Sequence, residues 1–150
     1  LQGGEWQTGS GSSFELTANS HYASGEIAVR QSDMAGNLSA TTSNSEIIVI
    51  DTLAPAAPAL QLANDSGSSA SDGVTNDATV NVTLASDVAS WQYRLQGGEW
   101  QTGSGSSFEL AANSHYANGE IEVRQSDMAG NLSAMTRNSE IKVTICRPIA

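Results

Sequence analysis

Short runs in which apolar and polar residues alternate recur along the whole chain. Residues 25–32 (GEIAVRQS) put Ile27 and Val29 on one side and Glu26, Ala28 and Arg30 on the other. Successive side chains of a strand point to opposite faces, so a period of two predicts a half-buried strand. Residues 78–84 alternate through Val80, Val82 and Leu84, and residues 89–95 through Trp91, Tyr93 and Leu95. Leu60 and Leu62 mark a strand over 59–63, and Ile47 and Val49 mark one near residue 50. Further short strands are expected around Trp6 and Phe14, with Gly3-Gly4 and a Gly/Ser run supplying turns. A helical period is not found in any of these runs. Many short strands separated by turn residues predict an all-β fold, a sandwich of two packed sheets.

The pattern is itself repeated. Residues 1–50 return as 95–144, an offset of 94, with 43 of 50 positions identical. The differences are Thr17/Ala111, Ser24/Asn118, Ala28/Glu122, Thr41/Met135, Ser43/Arg137, Ile48/Lys142 and Ile50/Thr144. A period of that size is one small domain rather than a solenoid unit. The expected organisation is therefore the C-terminal half of one repeat in 1–50, a complete repeat in 51–144, and a non-repeat tail in 145–150. The tail reads as a cloning scar or a degenerate array end. Because Ala28 becomes Glu122 while Ile121 and Val123 are kept, position 28/122 is assigned to the face that meets water. The Asp51–Pro58 junction (DTLAPAAP) holds two prolines, each of which fixes its own φ and keeps the preceding residue extended. That junction scarcely spans the path needed for residues 1–50 to borrow strands from 51–94. Residues 51–144 are thus expected to form the intact domain, and 1–50 a partial sheet whose edges invite strand-mediated self-association.

Composition narrows the functional classes. Six Lys and Arg stand against sixteen Asp and Glu, a net charge of −10. That balance disfavours nucleic acid and anionic membrane surfaces and favours cations. The single cysteine, Cys146, supports no disulfide framework. An apolar run long enough for a membrane-spanning helix is absent from the sequence, so no membrane insertion is expected. No serine has the surround of a hydrolase elbow, and His21 and His115 each sit alone in N-S-H-Y, so no catalytic residues are assigned and the chain is not read as an enzyme.

The chemistry-bearing side chains are aspartates. Asp33 and Asp127 open the two copies of D-x-A-G-N, where an aspartate caps a turn and Gly supplies a positive φ. Asp65, Asp72 and Asp77 share the polar loop 64–77 (NDSGSSASDGVTND). Its spacing is not that of an EF-hand, since Gly67 and Ser69 occupy places that call for oxygen-rich side chains. Spacing alone leaves solvated turn chemistry and cation binding both open.

The D-T-x-A-P junction at 51–55, the D-G-x-T-N-D loop at 72–77 and the D-x-A-G-N turns occur together at a tandem period. In that combination the chain resembles the bacterial immunoglobulin-like repeats of giant surface adhesins, of the biofilm-associated and RTX types, over residues 1–144. The resemblance implies immunoglobulin-like β-sandwich repeats in tandem, serving as stalk modules of a secreted, cell-surface adhesin whose partners are neighbouring repeats of the same chain. It implies structural Ca²⁺ near the junctions, with Asp51, Asp65, Asp72, Asp77 and Asp127 as ligand candidates, and Asp33 as the first-copy equivalent of Asp127. Gln96 departs from the family pattern, which often has Asp there, and Ile145 stands where Asp51 stands after the first copy. The rival reading is a module that binds glycan or host protein through Trp100 and its Gly/Ser loop.

Overall fold

The computed structural model describes residues 1–145, and its chain separates into two compact units, Leu1–Leu53 and Ala54 onward. Among the described residues every element is a strand. In the first unit β1 (Ser20–Tyr22) pairs antiparallel with β4 (Ile48–Ile50), and β2 (Ala28–Val29) with β3 (Thr42–Ser43).

The second unit is a β-sandwich built from ten strands. They are β5 (Ala59–Leu62), β6 (Val74–Thr75), β7 (Thr79–Thr83), β8 (Val88–Leu95), β9 (Gln101–Thr102), β10 (Ser107–Glu109), β11 (His115–Tyr116), β12 (Ile121–Asp127), β13 (Thr136–Arg137) and β14 (Ile141–Val143). Strand orders are β10-β7-β5, β13-β12-β8-β9 and β11-β14-β6. The longest ladder is β8 against β12, from Ile121↔Leu95 to Ser126↔Ser90, with a bulge before Asp127↔Val88. The chain leaves the β5 sheet at the polar loop and joins the other side as β6, which runs parallel to β14. The predicted loop 64–77 thus contains a strand that alternation does not reveal.

Inward residues of all three sheets make one core: Val80, Val82, Trp91, Phe108, Leu110, Tyr116, Ile121, Val123, Ile141 and Val143. Trp91, Tyr93 and Phe108 pack their rings together, with Tyr93 stacked on Phe108 at 4.4 Å between centroids. The Gly/Ser run closes over this cluster. Trp91 Nε1 donates to the Gly105 carbonyl at 2.8 Å, and a Cβ on Gly103 would fall inside the indole ring. The run is a packing cover for a tryptophan rather than a linker.

The first unit has the same sequence but not the same strands. Its counterpart of seven-residue β12 is the two-residue β2, and the strands expected around Trp6 and Phe14 are not formed, whereas β9 and β10 form in the second unit. The core face is correspondingly open. Phe14 is 55% exposed against 6% for Phe108, Val29 49% against 0% for Val123, and Val49 63% against 1% for Val143. Tyr22 and Ile27 alone among the large apolar side chains of 1–53 are fully buried.

Two identical glycines test this packing. Gly103→Ala should destabilise the second unit by about 1–3 kcal/mol, because the new methyl must displace the Trp91 ring. Gly9→Ala, in the same local sequence, meets nothing within 4 Å and should leave unfolding unchanged. Urea denaturation followed by tryptophan fluorescence distinguishes the two.

Candidate functional site

The two D-x-A-G-N turns are closed by their own aspartates. Asp127 Oδ1 accepts from the backbone N–H of Ala129 and of Asn131, each at 2.9 Å, and Oδ2 accepts from Asn131 Nδ2 at 2.9 Å. Gly130 takes φ 93°, and its N–H donates to the Asp127 carbonyl. Asp33 makes the same bonds to Ala35 and Asn37. The Asn131 side chain, followed by the turn amides, holds the Asp127 carboxyl below the usual carboxylate range, and Asn37 does the same for Asp33. Both carboxylates close their own turns.

In the polar loop each aspartate likewise serves the backbone. Asp72 Oδ1 accepts from Val74 N–H and Asp77 Oδ1 from Thr79 N–H, both at 3.0 Å, two residues ahead in each case. Asp65 Oδ2 accepts from Gly73 N–H at 3.1 Å and ties the two ends of the sheet switch together. Its other oxygen, Oδ1, is buried without a hydrogen-bond partner. Thr75, also buried, donates from Oγ1 to the Asn64 carbonyl, and Asn76 N–H donates to Ser66 Oγ. Gly73 (φ 74°) lies against the Glu140 carbonyl so closely that no side chain would fit. Asp51, in the first unit, accepts from Leu53 N–H at 3.0 Å.

Asp65 and Asp72 line one cleft with Glu140, whereas Asp127 lies at the opposite end of β12, beside the incoming junction. Among the described residues no three of His, Cys, Asp and Glu are grouped so as to hold a metal ion.

The outer face of the β13-β12-β8-β9 sheet carries three arginines, Arg94, Arg124 and Arg137. Arg94 Nε reaches Glu122 Oε1 at 2.7 Å and Arg137 reaches Glu122 Oε2 at 3.1 Å. Arg124 Nε donates to Gln92 Oε1, and the guanidinium groups of Arg124 and Arg94 lie over the Trp100 ring at 4.0 and 4.7 Å. Arg30 covers Trp6 in the first unit at 3.9 Å. Position 122 is not on a water-facing surface as expected: Glu122 is only 6% exposed. It does lie opposite Ile121 and Val123, but two arginines cover it, and the Arg94 hydrogen bond foremost lowers its pKa. The signal was in the repeat comparison. Ala28/Glu122 and Ser43/Arg137 introduce opposite charges, and they are cross-strand neighbours in both units. A hydrogen bond missed by sequence spacing joins His115 Nε2 and Glu140 Oε1 at 3.0 Å, beside the β11–β14 pair.

A family model described as bacterial Ig-like domain matches residues 52–145, more than half of the chain. The chain belongs to the bacterial Ig-like domain family. No curated protein sequence matches it. The match coincides with the sandwich just described, and bacterial Ig-like domains are typical of surface proteins. The Ig-like fold is a non-enzymatic type, and no described helix is long and apolar enough to cross a membrane. The tail from residue 146, Cys146 included, lies outside the described residues.

Because its pKa is lower in the folded Ig-like domain, the Asp127 carboxylate adds stability above its unfolded pKa near ~3.9. That contribution is lost as pH falls through the folded value. Asp127→Asn points an amide at the Asn131 amide, so it should lower the melting temperature at neutral pH. The gap from wild type should close as pH is taken down through the lowered folded pKa of Asp127. Thermal unfolding across that pH range reads both.

Proposed function

We propose that the chain is one complete extender module and the C-terminal half of another, from the stalk of a secreted bacterial cell-surface adhesin, supporting cell adhesion or biofilm formation and performing no catalysis. The observation that carries this is near-identical repetition, 43 of 50 positions at an offset of 94. The seven differences in fifty positions spare every aspartate and every residue of the D-x-A-G-N turn. A module whose work is length and stiffness needs each copy to do the same thing. The way the chain enters the sandwich supports this. Gln125 Nε2 donates to the Ala56 carbonyl and Thr136 Oγ1 to the Pro58 carbonyl, so the proline segment is fastened to β12 and β13. The glycan-binding alternative gains no support, since a sugar stacking on Trp100 would have to displace Arg94 and Arg124.

Calcium is the second part of the proposal. Since one unit does not group enough carboxylates, an ion would take ligands from two neighbouring repeats, with solvent completing the six to eight oxygens it needs. Asp65 is the best-placed contributor, because one of its oxygens is buried and unpartnered.

Two measurements test these parts separately. The maximum dimension from small-angle scattering should grow by a constant step with each added copy of residues 51–144; compaction instead would end the extender reading. In calcium against chelator, an ion bound only by the folded state should raise the melting temperature with concentration. Asp65→Ala, Asp72→Ala and Asp127→Ala should blunt the rise. A wild-type melting temperature that ignores calcium leaves these aspartates as turn residues only.

A further inference from the structure

Half of the cationic side chains of this acidic molecule stand on one surface. Of its six Lys and Arg, Arg94, Arg124 and Arg137 project from the outer face of the β13-β12-β8-β9 sheet. Among the described residues of those four strands the one outward carboxylate is Glu122, and it holds Arg94 and Arg137. Three guanidinium groups against one carboxylate leave this face at +2, on a chain of net charge −10. Arg124 has no carboxylate partner among the described residues. Gln92 Oε1 accepts from its Nε at 2.9 Å, and its guanidinium lies over the Trp100 ring at 4.0 Å. We propose that this arginine face is a docking surface for a second copy of this chain, with Arg124 receiving the carboxylates of the incoming copy.

The guanidinium is held ready for such a contact. Stacking on the indole and the bond to Gln92 fix the planar fork of Arg124, so little freedom is lost when a carboxylate meets it. Arginine and tryptophan side by side are also the residue types that protein interfaces favour. The stack is common to both copies: Arg30 covers Trp6 at 3.9 Å as Arg124 covers Trp100. The differences around it cancel in charge, since Ala28/Glu122 adds a negative group and Ser43/Arg137 a positive one. What the repeat preserves at this place is one arginine, laid on a tryptophan, beyond those that Glu122 holds.

Charge and repetition together select a second copy as the occupant. The complementary groups are on the chain itself, where Asp72, Asp87, Glu99, Glu109 and Glu140 are all exposed. Two chains of like net charge can meet this way because salt at about 0.15 M screens charges more than ~8 Å apart, so the local patches decide. One such contact is weak. Copies that recur every 94 residues form it again at each step, and each contact raises the effective concentration for the next. A partner gains from that only if it repeats at the same spacing, as another chain of this kind does. Because an arginine face meets a carboxylate surface elsewhere on the molecule, the contact is heterologous and leaves both surfaces available for further copies. The inference uses the tandem period alone and depends neither on calcium nor on the stalk reading.

The test coats beads with the full chain, under reductant so that Cys146 forms no cross-link. Wild-type beads should clump at about 0.15 M salt and disperse at roughly 1 M, where screening reaches ~3 Å. Beads carrying Arg124→Glu should not clump among themselves, yet should join clumps of wild-type beads, because that variant keeps its own carboxylates. Arg124→Lys keeps the charge without the planar fork, and should clump reversibly but at least tenfold more weakly than wild type. Urea unfolding of each variant, followed by tryptophan fluorescence, should match wild type. The proposal is overturned if wild-type beads stay dispersed. It is equally overturned if Arg124→Glu beads clump among themselves as well as wild type does, which would place the contact elsewhere. Capture of an acidic polysaccharide by dispersed wild-type beads, lost in Arg124→Glu, would overturn it in favour of that polyanion.

Discussion

A strand in this chain exists only where another strand is bound beside it, and the β8–β12 ladder is the pairing on which the sandwich depends. Residues 27–33 and 121–127 differ at a single position. One is a seven-residue strand with five buried residues, and the other shrinks to two residues. Intrinsic preference is the same in both, so the difference comes from the partner: Ser90–Leu95 for β12, and none of the kind for β2. What persists in both units is local. The Asp–Asn turn, the Asn44 and Asn138 side chains accepting from Ile27 and Ile121, and the serines accepting from Gln31 and Gln125 recur at nearly equal distances. Turns are set by a few neighbouring residues; the β8–β12 ladder joins residues 26 to 39 apart in the chain.

Aspartate plays the same part throughout. With sixteen acids against six bases, the surface looks built for cations, yet the carboxylates of Asp33, Asp51, Asp72, Asp77 and Asp127 all accept from a backbone N–H two residues ahead. Such bonds satisfy amides that the turns would otherwise leave unpaired. Asp65 alone reaches across a loop, where it braces the passage of the chain from one sheet to the other.

This explains what was legible beforehand. Alternation located β5, β7, β8, β12 and β14 to within a residue or two, because their buried faces are long enough to show a period. It could not find β6, which is two residues long and owes its existence to β14, nearly seventy residues on. It located the side on which Glu122 stands but not the arginines that cover it, since these come from another strand and from the far side of a turn. The turn aspartates were visible as residues; which oxygen meets which amide depends on a backbone path that composition does not encode. The strands around Trp6 and Phe14 were misjudged for the reason already given, that pattern permits a strand and a partner makes one.

The parallel pairing of β6 with β14 bears on how the Ig-like domain would carry load. β6 lies near the start of the domain and β14 at its end, side by side and pointing the same way. Tension applied at the two chain ends pulls the strands past each other along their length. The bonds between them are then strained together instead of being opened one by one from an end, as in a peeled hairpin. The switch at the polar loop is what sets that geometry. Without it, β5 would be the only strand ahead of β7, and it pairs antiparallel with β7 inside the domain. Resistance to pulling is thereby concentrated in a few residues, Val74, Thr75 and Lys142–Thr144.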